Sequence, residues 1–332
     1  MRNIIVIGAS AGGIAAVNQV IAGLPPMLDA AVIVVLHLSR KSSAKNIVEI
    51  LQRHTKLYCH VAGNNDLIEP GNLYLAPQDY HLMVKDGLLK INQGPHENKY
   101  RPAIDVLFRS AAVYYGNQAI GVILTGMLED GTSGMWAVKS CGGICIVQDP
   151  AEAEYADMPQ SVLNKIQADY KAILNDIPDI IQLVMANPLP PKKMIPTELQ
   201  VEATITEQMM SNINQLAEIA DHSNFVCPEC GGGLWAVKND PTHRYRCHTG
   251  HVYTEKLLSE MQDSKIEESI WVSIRMLEEK LNLLLLMDKR AGEENTRSQH
   301  YQKRIQDINT HISRLKRLLS LLHKDLHEQD KA

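Results

Sequence analysis

Three residues, far apart along the chain, are of the types that acyl transfer needs. Ser10 lies in Gly8-Ala9-Ser10-Ala11-Gly12, a G-x-S-x-G spacing. That spacing suits a strand that ends in a tight turn and lifts a hydroxyl into the open. His37 ends the apolar run 30–37, and Asp130 follows the apolar run 118–126. An imidazole can take the proton of a serine, and a carboxylate can fix the imidazole's tautomer. Each residue also has a plainer reading. Ser10 reads equally as a helix cap, His37 as a loop residue, and Asp130-Gly131 as a turn. A dinucleotide turn is a further rival, since Gly8 and Gly13 fit two of its three glycines. Ser10, however, takes the middle place, and His37 stands where an acid should meet the ribose.

A second group of residues suits a metal. Cys227 and Cys230 form C-x2-C, and Cys247 and His251 form C-x3-H. Three thiolates and an imidazole make a tetrahedral Zn²⁺ set with no open position, so the role is structural. His248 competes as fourth ligand, but adjacent residues rarely converge on one ion. The alternative is a patch of free thiols with little core of its own. Zinc contributes about 10 to 16 kcal/mol in comparable peptides, enough to fold such a patch. Arg244 and Arg246 nearby do not make a nucleic-acid patch, and a net charge of −5 carries no such footprint.

The elements that must position these groups are legible as patterns. Continuous apolar runs at 3–8, 30–37, 71–77, 118–126 and 143–148 read as strands buried on both faces, with helical stretches between several of them. The run 81–93 reads as a hairpin about Asp86-Gly87. The fold class is α/β, a doubly wound, mostly parallel sheet with helices on both faces. Catalytic groups in such sheets gather at the carboxyl ends of strands, so Ser10, His37 and Asp130 share one edge. The expected organisation is an α/β domain at 1–187, a linker with a short helix at 188–222, a zinc-ribbon-like module at 223–253 and a helical hairpin at 254–332. The last rests on heptads: Ile270, Ile274, Leu277, Leu281 and Leu284, then Tyr301, Ile305, Ile308, Ile312, Leu315, Leu319, Leu322 and Leu326. Residues 291–295 break the two helices. The seam could close on itself or pair with a second copy of the chain. With 332 residues, 45% apolar, the chain has material for more than one core. No apolar run reaches the length of a membrane span, and no secretory signal opens the chain. Clustered cysteines read as metal ligands in a cytoplasmic protein.

Six segments, among them "IGASAGG", "VVLHLSR", "RPAIDVLFRSAA" and "VILTGMLEDGTSGM", resemble in order the catalytic domain of the chemotaxis protein-glutamate methylesterases, the CheB type. The resemblance covers residues 3 to about 185. It implies hydrolysis of glutamyl methyl esters, and for some members glutamine deamidation, on the helices of chemoreceptors, with no catalytic cofactor. Ser10 would be the nucleophile, His37 the base and Asp130 its partner. Backbone amides of Ala11 and Met127 would hold the oxyanion, and Arg101 and Met158 would lie at the substrate. By residue type alone Arg101 is also a solvated arginine and Met158 a packing residue. The chain departs from the family in having Ala11 where Thr is usual, Leu128 where Gly is usual, and no receiver domain. These departures keep a second function open: a weak or inactive methylesterase-like adaptor that binds receptors through its zinc and helical modules.

Overall fold

The β-branched runs near the amino end form the middle of a parallel sheet, because every residue in them can be covered from both sides. A computed structural model of the chain describes residues 4–38, 42–291 and 296–329. The α/β part runs β1 (Ile4–Ala9), α1 (Gly13–Ala22), β2 (Ala31–Leu36), α2 (Ala44–Gln52), β3 (Tyr58–Val61), β4 (Asn72–Leu75), β5 (His81–Lys85) and β6 (Leu88–Asn92). It continues with α3 (Ile104–Tyr115), β7 (Ala119–Ile123), α4 (Thr132–Ser140), β8 (Ile144–Gln148), α5 (Asp157–Lys165), β9 (Tyr170–Ala172) and α6 (Ile177–Ala186). The seven-stranded sheet has the order β3-β4-β2-β1-β7-β8-β9, with every pairing parallel. Alternate residues of β1 feed two cores. Ile4 and Val6 face a cluster with Leu107 and Phe108 of α3. Ile5 and Ile7 face one with Val17 and Val20 of α1. The hairpin β5–β6 turns at Asp86 and Gly87, both with positive φ (49° and 78°), as a two-residue turn requires. Edge strands β3 and β9 are short and half exposed, and no apolar run announces them.

The segment expected as a linker is mostly folded. Two helices, α7 (Thr197–Gln208) and α8 (Ile213–Ile219), occupy it. They are separated because Asn212 starts α8 afresh, with a capping box to Gln215. The proline-rich stretch before Thr197 and residues 209–212 stay irregular. Strands β10 (Ala220–Val226), β11 (Gly233–Val237), β12 (Arg244–Cys247) and β13 (Val252–Thr254) then form an antiparallel ribbon in sequence order. This ribbon and the α/β part belong to one compact unit, which ends at Leu257.

The second unit begins at Leu258. It comprises nearly all of α9 (Glu255–Ala291) together with α10 (Thr296–Gln329). Ile270, Ile274 and Leu284 pack with Ile308, Ile312 and Leu319, and Lys316 reaches Glu278 at 2.9 Å. The heptad seam therefore packs within one chain. Residues 292–295, where a break was expected, and the side chain of Leu326 lie outside the described residues. No helix among the described residues is long and apolar enough to cross a membrane.

Candidate active site

Ser10 follows β1 directly. Its N–H donates to the Thr125 carbonyl (3.0 Å), which ties the turn to the segment after β7. Gly12 makes the turn with φ 72°, a conformation that side chains disfavour. Gly126 sits against the nucleophile candidate: a Cβ there would lie 2.8 Å from Ser10 Cβ and would collide with Met158 Sδ. Met127, next in the chain, is 46% exposed at this rim. The Thr125 hydroxyl donates to the Ala11 carbonyl (3.1 Å), so it braces the turn. Leu128, in place of a glycine, is held at φ 66°.

His37 follows β2, and its N–H donates to the Ala9 carbonyl, one residue before Ser10 (3.1 Å). Its Nε2 meets Asp130 Oδ2 at 2.9 Å, with both side chains buried. Its Nδ1 is buried and has no hydrogen-bond partner. With Nε2 committed to a carboxylate, Nδ1 is the ring atom open to a proton from elsewhere. Asp130 accepts three further hydrogen bonds, from Ile104 N (2.7 Å), Asp105 N (3.3 Å) and Asn98 Nδ2 (3.1 Å). The first two are free amides at the start of α3, where a negative charge is favoured. Strands β2, β1 and β7 are adjacent, and chain order reverses about β1. Ser10, His37 and Asp130 thus follow three adjacent strands at the switch point of the sheet, the place where ligands bind in this class of fold.

Asp105 lies behind Asp130 and accepts from Gly134 N (2.7 Å) and Asn98 Nδ2 (2.9 Å). Burial, with the Asp130 charge added, pushes its carboxyl up to about 8. An unfolded aspartate titrates near about 3.9, so between these values the folded chain holds a proton that the unfolded chain has lost. Stability must then fall as pH rises from about 4 to about 8. In Asp105→Asn the urea midpoint should lose this component, and the variant should gain on the parent steadily from pH 5 to pH 8. Parallel curves would contradict it.

Arg101 binds Asp79 (2.7 Å) and the carbonyls of Gln93 (3.2 Å) and Gly94 (2.9 Å). It also lines a cavity of about 510 Å³ together with Gln78, His96 and Tyr100, and with Leu36 and Leu38, which flank His37. Arg101 is thus placed at a cleft beside the imidazole, but as a braced wall. Met158, expected at the substrate, is fully buried in the core under Gly126. Two residues at the site went unread. Tyr100 stacks on His37, ring centroids 3.5 Å apart and planes 9° from parallel, and Asn98 holds Asp130. Both precede the "RPAID" segment, and nothing local marks them, because their partners are distant in sequence.

The metal candidates also converge. The donor atoms of Cys227, Cys230, Cys247 and His251 all lie within 4.8 Å of one another. Cys230 and Cys247 sulfurs are 3.8 Å apart, close to the edge of a tetrahedron with Zn–S of about 2.3 Å. His251 turns Nδ1 to Cys247 (3.5 Å) and Nε2 to Glu229 Oε2 (3.0 Å). A carboxylate behind a ligating imidazole is the usual orienting partner. His248 is outside the cluster and meets Ser211 instead. The donor set therefore fits a tetrahedral ion.

A family model described as CheB methylesterase matches residues 5–181. A putative protein-glutamate methylesterase/protein-glutamine glutaminase of Leptospira interrogans is 37% identical over 177 residues, 53% of this chain and 91% of that protein. The corresponding protein of Thiobacillus denitrificans is 35% identical over 181 residues, 53% of this chain and 50% of its own length, so the chain spans about half of it. Among solved structures, the CheB methylesterase catalytic domain of Thermotoga maritima is 32% identical, with a TM-score of 0.52, covering 56% of this chain and all of that one.

Proposed function

The chain belongs to the CheB methylesterase family, and from that premise we propose that it hydrolyses glutamyl methyl esters on chemoreceptors or receptor-like proteins, with the glutamine amide as a second substrate. The observation that carries this reading is the His37–Asp130 bond at the sheet's switch point, with the second imidazole nitrogen buried and unpartnered. Ser10 Oγ attacks the ester carbonyl and its proton passes to His37 Nδ1. Asp130 keeps the proton of Nε2 in place and steadies the imidazolium. The amides of Ala11 and Met127 face the oxyanion. The tetrahedral intermediate collapses, methoxide takes the proton from His37 and leaves as methanol. Water, deprotonated by His37, then cleaves the glutamyl-Ser10 ester, and the serine recovers its proton. General-base help of this kind supplies about 10² to 10⁴-fold. The experiment is methanol release from a methyl-esterified receptor peptide by the full chain. Release well above the buffer rate supports the reading. An adaptor would bind the peptide and release nothing.

The ribbon's role in this reading is structural. Cys227, Cys230, Cys247 and His251 hold Zn²⁺, with Glu229 orienting the histidine. None of the six cysteines is in a disulfide, which suits a reducing cytoplasm. Purified chain should carry one zinc, and Cys227→Ser should lose it. Chelation should change the fluorescence of Trp235 on β11, because the ribbon loses a tie comparable to its whole folding energy. A fully folded, metal-free ribbon by elemental analysis and circular dichroism would contradict this.

A further inference from the structure

Between β6 and α3 the chain crosses the active site as a strap, residues 93–101. Its inner side carries the groups that hold the triad residues. Asn98 Nδ2 donates to Asp130 Oδ1 at 3.1 Å. The Tyr100 ring lies flat on the His37 imidazole, and its hydroxyl meets the Ser10 side chain. Burial, with the Asp130 charge added, pushes the Tyr100 phenol up.

The strap's other side is held chiefly by the ribbon. Asn98 N donates to the Val252 carbonyl (2.9 Å), and Val252 N to the His96 carbonyl (3.4 Å). Glu97 pairs with Val252 in a parallel bridge. The Glu97 carboxylate, 2% exposed, binds Arg246 of β12 (3.1 Å) and Arg109 of α3 (2.7 Å). Burial alone would raise that carboxyl, but Arg109 and Arg246 outweigh it and hold it well below the usual range. Glu202 of α7 extends the network to Arg244 (2.9 Å), and Arg244 to Asp240 (2.7 Å). Asp240 in turn accepts from Ser133 of α4 (2.7 Å). Arg109, Arg244 and Arg246 thus balance Glu97, Glu202 and Asp240, all buried. A charge set of this kind tolerates little displacement, because an unpaired buried charge is costly.

We infer that the ribbon is a positioning element of the esterase site: β12 and β13 fix the strap, and the strap fixes Asp130 through Asn98 and His37 through Tyr100. Residues outside the family match, which ends at 181, therefore complete the geometry of residues inside it. The inference rests on Ser10 being the nucleophile proposed above, and it makes Asn98 and Tyr100 positioning residues. Loss of the ribbon contact should lower the rate of the chemical step and leave substrate affinity nearly unchanged.

The test uses the full chain and three readouts: the rate at which a fluorophosphonate labels Ser10, hydrogen exchange of residues 95–101, and kcat and KM for methanol release. The label reads Ser10 whatever its natural ester, so the coupling is measured even if receptor esters prove not to be the substrate. In Arg246→Met, labelling should slow about tenfold or more and exchange in the strap should rise by a similar factor. Arg246→Lys, which keeps the charge, should recover most of both. Should the single variant fail to fold, Glu97→Gln with Arg246→Met removes one charge of each sign and answers the same question. Tyr100→Leu, which removes the stack on His37, should lose about tenfold in kcat for methanol release with little change in KM. Unaltered labelling and exchange in a folded Arg246 variant would overturn the inference. So would a Tyr100→Leu chain that changes KM alone.

Discussion

Ser10→Ala is expected to lower methanol release by about 10⁴-fold or more while the fold is kept. The magnitude follows from what is removed: without the hydroxyl there is no covalent route, and only binding and oxyanion contacts remain. The side chain itself carries no structural load that alanine cannot bear. The turn is held by the Ser10 N–H on Thr125 and by the Ser10 carbonyl, which accepts from Gly13 N (2.9 Å). Thermal unfolding should thus be close to that of the parent. A variant that unfolds early would mean that Ser10 braces the turn, and one that retains activity would mean that another group attacks the ester. Gly126 offers a contrast at the same spot. Any side chain there must push Met158 and Ser10 apart, so a loss of activity in such a variant would say nothing about the hydroxyl.

Asp130→Asn should cost about 10³ to 10⁴-fold in kcat, the second largest effect, and some stability as well. Asp130 accepts four hydrogen bonds, two at each oxygen. An amide can offer acceptors at only one of those positions. If its NH₂ replaces Oδ2, it faces the Ile104 N–H and forces His37 Nε2 to become the acceptor. The imidazole proton then sits on Nδ1, the atom that must receive the serine proton, and the base is lost. If its NH₂ replaces Oδ1, one N–H of the Asn98 amide and the Asp105 N–H are left without a partner. Each such buried group costs about 1 to 3 kcal/mol. The measurement is kcat for methanol release alongside a urea melt. A variant with parental kcat would mean that the carboxylate serves only to cap α3.

The parts of this architecture legible in the sequence are those whose signal is periodic or closely spaced. The apolar runs of β1, β2 and β7 declare strands buried on both faces, and their ends place Ser10, His37 and Asp130 on one edge. Asp86-Gly87 declares its turn, the heptads declare the seam of α9 and α10, and the cysteine spacing declares the cluster of Cys227, Cys230, Cys247 and His251. What was illegible depends on polar contacts between distant residues. Helix α7 looks weakly amphipathic because its buried face includes Glu202, whose burial makes sense only beside Arg109 and Arg244. A linker with one short helix was therefore expected where two packed helices stand. Arg244 and Arg246 are buried in ion pairs, and their partners could not be foreseen. Met158 was assigned to the substrate by resemblance, and burial under Gly126 removes it from the surface. Tyr100 and Asn98 escaped because a stacking or amide contact leaves no mark in spacing.

The most direct measurement is the mass of the peptide that carries Ser10 after the full chain meets a fluorophosphonate. An adduct is expected on Ser10 in the parent chain, absent from Ser10→Ala, and formed far more slowly in His37→Gln and Asp130→Asn. An adduct on another hydroxyl, or one on Ser10 that forms equally fast without His37, would contradict the nucleophile, base and acid assigned to these three residues.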